Sequence, residues 1–545
     1  MGKIVGIDLG TTTSAISHLK NGKPEIISNV EGKRISDSVV AVDKFGNIIV
    51  GEVAKRMIGT SGEKIKEVKR LMGTNRKIAL GGKEFSPEEV SAEILKKLKH
   101  DAEDFLGEEI EEAVITVPAM FTSTQKSATI KAGELAGFKV ERIISEPTAA
   151  AMAYGLENMD KNQKILVYDF GGGTFDVSIL DLDEGILDVI ATAGDNYLGG
   201  KNIDELLGKY ILSKIGRSDI SLERINLEIE DLKKDLSTLY TTELNIPAFR
   251  INFEVSRNEF EGLILPLVDK SIDCIHKALS QAKCKVEDID IVLLVGGTTR
   301  IPLIKNRIKE IFGNKIKSFA DPQEVVALGA GIQAGIKASD ISSEEGLIIT
   351  DICNYSLGVG CVGMYQGSLT SGVYSVIIPK HSSLPCSKGE EYYTCIDSQS
   401  SVHVEVYQGE GQLVSENILL AEFDIDGIPE NQAGSESIKI TFGYSMNDIL
   451  EVEAEIISTG YKKKISVEMN DNNNLAKKSN YKNSSYYSDY KMIMDMAEEK
   501  LKKVSEVNKT KISTILAEMK LKLVEEKEEE LQKLDVALTD LLFEV

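Results

Sequence analysis

Two glycine-rich segments carry residue types that suit the binding of a phosphate and its metal ion. The N-terminal copy reads IVGIDLGTTTSAIS and the later copy reads ILVYDFGGGTFDVSI, and they align without a gap. The alignment pairs Asp8 with Asp169 and Gly10 with Gly171. Each copy predicts a strand, a glycine-rich turn and a second strand, and the amides of such a turn can hold an anion. An aspartate beside the turn predicts a hydrated magnesium ion, which prefers oxygen ligands.

The later copy contains three consecutive glycines, Gly171, Gly172 and Gly173. Because glycine weakens a strand, a bare backbone here predicts that a ligand approaches the chain closely. We expect that ligand to be a phosphate group held by the amides of the turn. The sequence contains no GxxxxGK[ST] segment, which excludes a P-loop. Two ordinary hairpins are the competing interpretation, and the repeated aspartate spacing favours the phosphate site.

These segments belong to a longer pattern of alternating strands and helices over residues 1–337, which predicts an α/β domain. The run EAVITVP predicts a strand, and a helix is expected from Thr122. The run IDIVLLVGGTTRIP predicts a buried strand that breaks at Gly296 and Gly297. Ligands of such sheets bind beyond the carboxyl ends of the strands. We therefore expect two similar lobes with a nucleotide between them.

The sequence pattern changes after this region. Residues 338–351, ASDISSEEGLIITD, predict an interdomain linker whose apolar end docks on a surface, and the first strand of the next domain is the alternative. Alternating apolar and polar residues over 352–469 predict an all-β sandwich. The polar run 470–486 predicts a flexible hinge, and a stripe of leucines predicts helices over 487–545.

The composition of the chain argues against several classes of protein. A net charge of −23 on 545 residues argues against general nucleic-acid binding. The sequence has no apolar run of about 18 residues, so we expect no membrane span. The first strand begins almost at once and leaves no room for a signal peptide, so we expect a cytoplasmic protein. The six cysteines show no CxxC spacing, which predicts thiols in a reducing compartment.

The chain resembles the 70-kilodalton heat-shock chaperone family in its bacterial, DnaK-like form. GIDLGTTTS, VYDFGGGTFDVS and LLVGGTTRIP are similar to the two phosphate motifs and the adenosine motif of that family, in the same order. AVITVPAMF and RIISEPTAAAMAYG stand between them, and the likeness continues through the linker, the β domain and, more weakly, the helical tail. The resemblance implies an actin-like two-lobed ATPase domain, a β-sandwich peptide-binding domain and a shortened α-helical lid.

The resemblance implies a set of catalytic residues in the ATPase domain. Asp8 and Asp169 would hold hydrated magnesium, and potassium is a further candidate ion. Lys69 matches the catalytic lysine, which would neutralise charge at the γ-phosphate and orient the attacking water. Further positions of the same pocket are matched by Glu146, Thr174 and Asp176.

The resemblance also implies which residues would contact ATP or ADP. The phosphates would be contacted by Gly10, Thr11, Thr12, Gly171, Gly172, Gly173, Gly199 and Gly200. The adenosine would be contacted by Glu230, Lys233, Lys234, Ser237, Gly296, Gly297 and Arg300. Glu230, Lys233 and Ser237 are spaced i, i+3 and i+7, which places them on one face of a predicted helix. Lys234 and Arg300 would stack on the two faces of the adenine ring.

Communication between the nucleotide and the linker is implied as well. In the family a relay of residues connects the nucleotide to the linker, and its positions correspond here to Pro118, Lys126 and Glu146. The contact region of a J-domain co-chaperone is matched by Arg142 and Asp351. The docking residues of the linker are matched by Leu347, Ile348 and Ile349. Among the departures from the family, Lys126 replaces an arginine and Thr350 replaces a leucine, so we expect an altered strength of coupling and modestly weaker apolar docking of the linker. Lys201 replaces an acidic residue near the nucleotide, Gln323 replaces an aspartate and Asn354 replaces a proline after the linker.

The β domain would bind an extended apolar peptide through backbone hydrogen bonds and one side-chain pocket. The groove walls are matched by Val359, Tyr392, Val402, Val404 and Ile449. The arch over the peptide is matched by Val362 and Cys395. By residue type alone these positions would be the core of a sandwich. The helical tail is too short for a complete lid, so peptide should exchange faster in the ADP state.

Together these expectations describe an ATP-dependent chaperone for unfolded polypeptides. ATP should dock the linker and open the groove, hydrolysis should close it, and the coupling must be reciprocal. Expected partners are unfolded clients, a J-domain co-chaperone and a nucleotide-exchange factor. One alternative is a non-cycling member that serves as an exchange factor or scaffold for another chaperone. The other, an actin-like or sugar-kinase ATPase, has no place for the linker and β domain.

Overall fold

The structure is a computed structural model that describes residues 3–544 with gaps. The gaps are 58–63, 157, 218, 319–320, 339, 341–347, 354, 446–449, 468–485, 487–489, 491–492, 495–496, 498–499, 502–505 and 525–527. Leu347, Ile449 and most of the predicted hinge therefore lie outside the described residues, and Ile348, Ile349 and Asp351 are described by backbone alone. The chain divides into two compact units, residues 1–351 and 352–545.

The first unit is built on two mixed sheets with the same order of strands. In each sheet, three consecutive strands form an antiparallel meander. The first strand of the meander also pairs in parallel with a neighbouring strand, and that neighbour pairs in parallel with one more strand. The first sheet runs through Lys139–Ser145, Ile110–Val117, Lys3–Asp8, Thr13–Lys20 and Lys23–Ile26, with Ser36–Asp37 beside the fourth of these strands. The second runs through Ile316–Ser318, Ile291–Val295, Gln163–Phe170, Phe175–Asp183, Ile186–Asp195 and Ile348–Ile349. The shared order places the two aspartate–glycine turns at equivalent positions.

Smaller antiparallel sheets and helices complete this unit. The smaller strands are Val39–Val42, Ile48–Val50 and Lys64–Lys66 in one sheet, Ile78–Leu80 and Lys83–Phe85 in another, and Thr241–Ile246 and Ile251–Ser256 in a third. The described helices are α1 (Glu52–Arg56), α2 (Pro87–Leu106), α3 (Ser123–Leu135), α4 (Glu146–Gly155), α5 (Gly200–Lys214), α6 (Asn226–Leu236), α7 (Arg257–Gln281), α8 (Pro302–Phe312) and α9 (Val325–Lys337). A short 3-10 helix, Val68–Leu71, follows the strand Lys64–Lys66.

Local sequence explains where several helices begin. Ser86, Thr122 and Ser256 precede α2, α3 and α7, and each side chain accepts a hydrogen bond from the backbone N–H three residues later. In all three cases the residue at that position accepts a bond in return, which satisfies two otherwise unpaired donors. The helix predicted from Thr122 therefore begins at Ser123, one residue after its cap.

Each large sheet has its own hydrophobic core. Around the second sheet, Tyr168, Phe170 and Phe175 pack with α5, α7 and α8 in one cluster. Around the first sheet, Ile7 and Ile115 pack with α2 and α3 in another. Burial of this apolar surface holds each aspartate–glycine turn at the end of a rigid sheet.

The second unit contains two four-stranded antiparallel sheets that share one hydrophobic core. One runs through Ser368–Ile378, Leu357–Tyr365, Ser401–Gln408 and Ile418–Asp426; the other runs through Cys386–Tyr393, Ser437–Tyr444, Leu450–Ile456 and Tyr461–Val467. Helices α10 (Glu506–Val524) and α11 (Glu528–Glu544) pack together through Leu516, Met519, Leu531 and Leu538. No helix in the described part of the chain has both the length and the apolar content that a membrane crossing requires.

Candidate functional site

A cleft of about 760 Å³ opens in the first unit, and both aspartate–glycine turns contribute to its walls. The predicted site residues that line it are Asp8, Gly10, Thr11, Thr12, Glu146, Asp169, Gly171, Gly172, Thr174, Gly200, Glu230, Lys233, Lys234, Ser237, Gly296, Gly297 and Arg300. Lys69 lines a small adjoining cavity together with Thr11 and Thr174. Residues far apart in sequence are therefore gathered at one place.

The two glycine-rich turns pack directly against each other. A Cβ atom on Gly172 would lie 2.3 Å from Thr12 Oγ1, and one on Gly173 would lie 2.4 Å from Thr11 Cγ2. Real Cβ atoms do not approach other atoms this closely. The sequence suggested that a phosphate requires the bare backbone; the structure adds a second reason, because threonines of the facing turn occupy that space.

The carbonyl groups of the second turn are held in place. Gly171 O accepts hydrogen bonds from Gly200 N–H (3.0 Å) and from Thr298 Oγ1 (2.8 Å), and Gly172 O accepts one from Lys201 N–H (2.9 Å). Among the described residues, the N–H groups of Gly172 and Gly173 have no hydrogen-bond partner. Two adjacent free amides on a fixed turn can bind an anion.

Buried carboxylates surround one buried ammonium group beside the turns. Lys69 Nζ lies 2.5 Å from Glu146 Oε1, and the two residues are 3% and 8% exposed. Burial and the charge of Glu146 raise the pKa of Asp8 to about 7 and that of Asp176 to about 8. The same causes raise the pKa of Asp169 well above its usual range. The site therefore favours added positive charge.

This donor set suits a hydrated magnesium ion. Asp8 and Asp169 offer carboxylate oxygens from equivalent positions of the two sheets, and Asp8 Oδ1 accepts a hydrogen bond from Thr116 Oγ1 at 3.0 Å. Asp176 Oδ1 is buried and has no hydrogen-bond partner among the described residues. Oxygen ligands and room for water are what magnesium requires, and a bound cation would offset the excess of negative charge.

Helix α6 supplies the opposite side of the cleft. Lys233 Nζ pairs with Asp204 Oδ1 at 2.8 Å, and Ser237 Oγ donates to Lys233 O at 3.2 Å. Glu230 pairs with Lys55 (3.2 Å) and Lys234 (2.7 Å). Burial opposes ionisation of Glu230, but these two lysines hold its pKa at about 2.

Two predicted contacts of the adenine ring lie on the cleft wall in ion pairs. Arg300 Nη2 lies 2.8 Å from Asp321 Oδ1, and Lys234 is paired with Glu230. Exposed pairs of this kind are weak, so a ligand can compete for either cation. Stacking on the adenine stays a prediction.

Four residues at the site were not predicted from the sequence: Thr116, Thr298, Arg70 and Glu67. A signal for Thr116 was present, because it lies near the carboxyl end of the strand Ile110–Val117, which runs parallel to Lys3–Asp8. Parallel strands place their carboxyl ends at one edge of a sheet. Thr298 stood inside the quoted adenosine motif. Arg70 and Glu67 carried no signal, since charged residues beside a lysine usually belong to a solvated surface.

The described end of the linker adds a short strand to the second sheet. Ile348 and Ile349 pair in parallel with Ile186 and Leu187. Thr350 N–H donates to Leu187 O at 3.1 Å, and the Thr350 hydroxyl hydrogen-bonds the carboxylate of Asp188. The residue that we expected to weaken apolar docking therefore makes polar contacts instead.

The other coupling residues lie within the first unit. Pro118 and Lys126 are buried, and Arg142 Nη1 donates to Gln333 Oε1 at 2.9 Å. Gln333 belongs to α9, which packs on α4, the helix that begins at Glu146. Arg142 is thus connected through α9 to the helix that begins at Glu146, and the relay itself stays a prediction.

The predicted peptide-binding residues divide into two environments. Val359 and Val404 are buried in the core of the second unit, and Tyr392 and Val402 pack against that core. The arch residues are accessible: Val362 is 44% exposed and Cys395 is exposed. Tyr392 Oη hydrogen-bonds Ser375 Oγ at 2.9 Å. For Val359 and Val404 to line a peptide-binding groove, the edge of the sandwich must therefore open around them.

Comparison with known proteins finds a matching family model and similar chains. A family model described as Hsp70 protein matches residues 4–79 and 75–542. Chaperone protein DnaK of Thermosipho melanesiensis is 43% identical over 476 residues, which cover 84% of this chain and 78% of that protein. Chaperone protein DnaK of Thermosipho africanus is 41% identical over the same shares of both chains.

Proposed function

The chain belongs to the Hsp70 family of molecular chaperones, and we propose that it hydrolyses ATP to control the binding and release of extended apolar segments of unfolded proteins. The observation that carries this proposal is the buried Lys69–Glu146 pair beside Asp8, Asp169 and the free amides of Gly172 and Gly173. A cluster of this kind is suited to phosphoryl transfer to water, because it stabilises charge without forming a covalent intermediate.

Each residue of the cluster has a separate task in this proposal. The amides of Gly172 and Gly173 bind phosphate oxygens, and Asp8 and Asp169 hold magnesium through its waters. Magnesium held by Asp8 and Asp169 would supply positive charge that offsets the charge of the β- and γ-phosphates. Lys69 places its ammonium at the γ-phosphate, and Glu146 keeps that ammonium oriented through their 2.5 Å contact. The cleft residues of α6 would contact the adenosine.

The remaining assignments rest on the same family relationship. Residues 1–337 would form the two-lobed ATPase domain, 338–351 the linker, 352–469 the peptide-binding domain, 470–486 the hinge and 487–545 the shortened lid. Partners would be unfolded polypeptides, a J-domain co-chaperone and a nucleotide-exchange factor, in the cytoplasm. The apolar peptide would enter the groove of the sandwich.

The proposal is tested by single-turnover ATP hydrolysis with the full chain, with and without an extended apolar peptide. We expect slow hydrolysis that requires magnesium and that the peptide accelerates. ATP that binds but is not hydrolysed would favour the scaffold alternative. Hydrolysis that does not respond to peptide would refute the coupling while leaving the ATPase intact.

Replacing Thr350 with proline is expected to reduce the stimulation by peptide about five-fold. Proline has no N–H, so the bond to Leu187 O is lost and the edge strand is released. Thr350→Val is the matched control, because it keeps the N–H and removes only the hydroxyl. Peptide stimulation, measured by single-turnover hydrolysis, should persist in the valine variant; equal loss in both variants would show that the backbone bond does not matter.

A further inference from the structure

A histidine and three carboxylates form a cluster on the second unit, away from every predicted site residue of the first unit. The cluster lies on two neighbouring antiparallel strands, Ser401–Gln408 and Ile418–Asp426. The register of these strands places His403 directly opposite Asp424, and Glu405 directly opposite Glu422. Because side chains alternate along a strand, all four project from the same face of the sheet.

The two glutamates of the cluster face each other across the strands. Like charges placed directly opposite in this way destabilise a sheet. Among the described residues, neither Glu405 nor Glu422 forms an ion pair with a lysine or an arginine. The ammonium of Lys463 donates instead to the backbone carbonyl of Asp424, at 2.6 Å. A cation bound between the two glutamates would replace their repulsion with attraction.

The imidazole of His403 is oriented as a metal ligand would be. Its Nδ1 lies 2.8 Å from Asp424 Oδ1, and because an ionised carboxylate only accepts, Nδ1 donates and the lone pair of the neutral ring is on Nε2. Histidines that bind metals commonly donate their other ring N–H to a carboxylate. His403 Nε2 lies 3.6 Å from Glu422 Oε2, which is longer than a hydrogen bond. It is close to the separation of about 3.4 Å between two ligands of a tetrahedral zinc ion.

Three donor atoms of the cluster are close enough together to share one ion. One donor atom from each of His403, Glu405 and Glu422 lies within 4.8 Å of the other two. We infer that these three residues bind a divalent transition-metal ion such as zinc, that Asp424 orients the imidazole, and that water completes the coordination. The imidazole nitrogen favours zinc over magnesium, which prefers oxygen ligands. The ion would join the two strands on the face opposite the buried Val404, and the inference does not depend on ATP hydrolysis.

Substitutions of the ligands separate a zinc site from an ordinary solvated face. His403→Gln and Glu422→Gln each remove one ligand, so each should weaken zinc binding more than ten-fold. Asp424→Asn keeps the three ligands and removes the carboxylate that orients the ring, so it should weaken binding about ten-fold. His100→Gln is the matched control, because His100 is exposed and lies 3.5 Å from Asp104 in a simple i, i+4 pair. Zinc affinity should not change in this control.

Isothermal titration calorimetry with zinc chloride measures binding to the full chain, stripped of metal and kept in a phosphine reductant with excess magnesium. Magnesium occupies sites made of carboxylates alone, and the six cysteines are the same in every variant, so the difference between parent and variant reports this site. Zinc should also raise the melting temperature of the parent but not that of His403→Gln. Melting in metal-free buffer checks that each variant folds. Equal zinc affinity in the parent, His403→Gln and Glu422→Gln would overturn the inference.

Discussion

Replacing Lys69 with alanine is expected to lower the single-turnover rate of ATP hydrolysis about 100-fold, while ATP still binds. The ammonium of Lys69 is 3% exposed and is surrounded by Glu146, Asp8, Asp169 and Asp176. In a site with little water, a fixed positive charge stabilises the charge that develops on the transferred phosphoryl group. In the proposed function, binding relies instead on the turn amides and α6, which the substitution leaves in place.

The same substitution leaves the Glu146 carboxylate buried without its cation, which destabilises a folded protein. Loss of hydrolysis could then reflect unfolding, and a second variant separates the two causes. Glu146→Gln combined with Lys69→Ala removes both charges, so its melting temperature should recover toward that of the parent while hydrolysis stays low. Quenched-flow hydrolysis and thermal unfolding measure the two effects. A hydrolysis rate within about three-fold of the parent in Lys69→Ala would exclude the assigned role.

Replacing Gly172 with alanine is expected to weaken ATP binding about 100-fold, because the two turns can no longer approach each other. The new Cβ would lie 2.3 Å from Thr12 Oγ1 and 2.4 Å from Thr12 Cγ2. The turns must separate by roughly 1 Å to accept it, and both carry groups that would contact the phosphates. Isothermal titration calorimetry with ATP and magnesium measures the loss.

A control and a rescue make this prediction specific. Gly262→Ala, inside α7, introduces a Cβ that meets no atom within 4 Å, so ATP affinity should not change. Removing the facing side chain with Thr12→Gly in the Gly172→Ala background should recover part of the affinity, which is a positive coupling between the two positions. If Gly172→Ala and Gly262→Ala bind ATP equally well, the contact between the turns has no role in binding.

The second glycine-rich turn contacts both the first turn and the 3-10 helix Val68–Leu71. Thr11 and Thr12 contact Gly173 and Gly172 from one side, while Arg70 bonds Gly173 O. Anything that moves the second turn must therefore change its contacts with the first turn and with the 3-10 helix at once. This shared geometry is a physical basis for coupling between phosphate binding and closure of the cleft.

Much of the fold was predictable because local patterns and long-range contacts agree. Alternating apolar residues predicted the strands Ser401–Gln408 and Ser437–Tyr444, and the two aspartate–glycine copies predicted two hairpins. A period of two or of 3.6 residues reports directly on which face of an element is buried. Motif residues such as Asp8 and Glu230 could be placed in one cleft through the family resemblance.

The sequence by itself determined the element types, the repeated hairpin and the set of residues that could bind nucleotide. Only the tertiary structure decided which side chains meet across the cleft. Thr12 against Gly172, Glu67 against Lys201 and Thr350 beside Asp188 are each separated by more than 100 residues. The physical reason is that periodicity and spacing describe neighbours within one element, whereas contacts between elements depend on how separate cores pack.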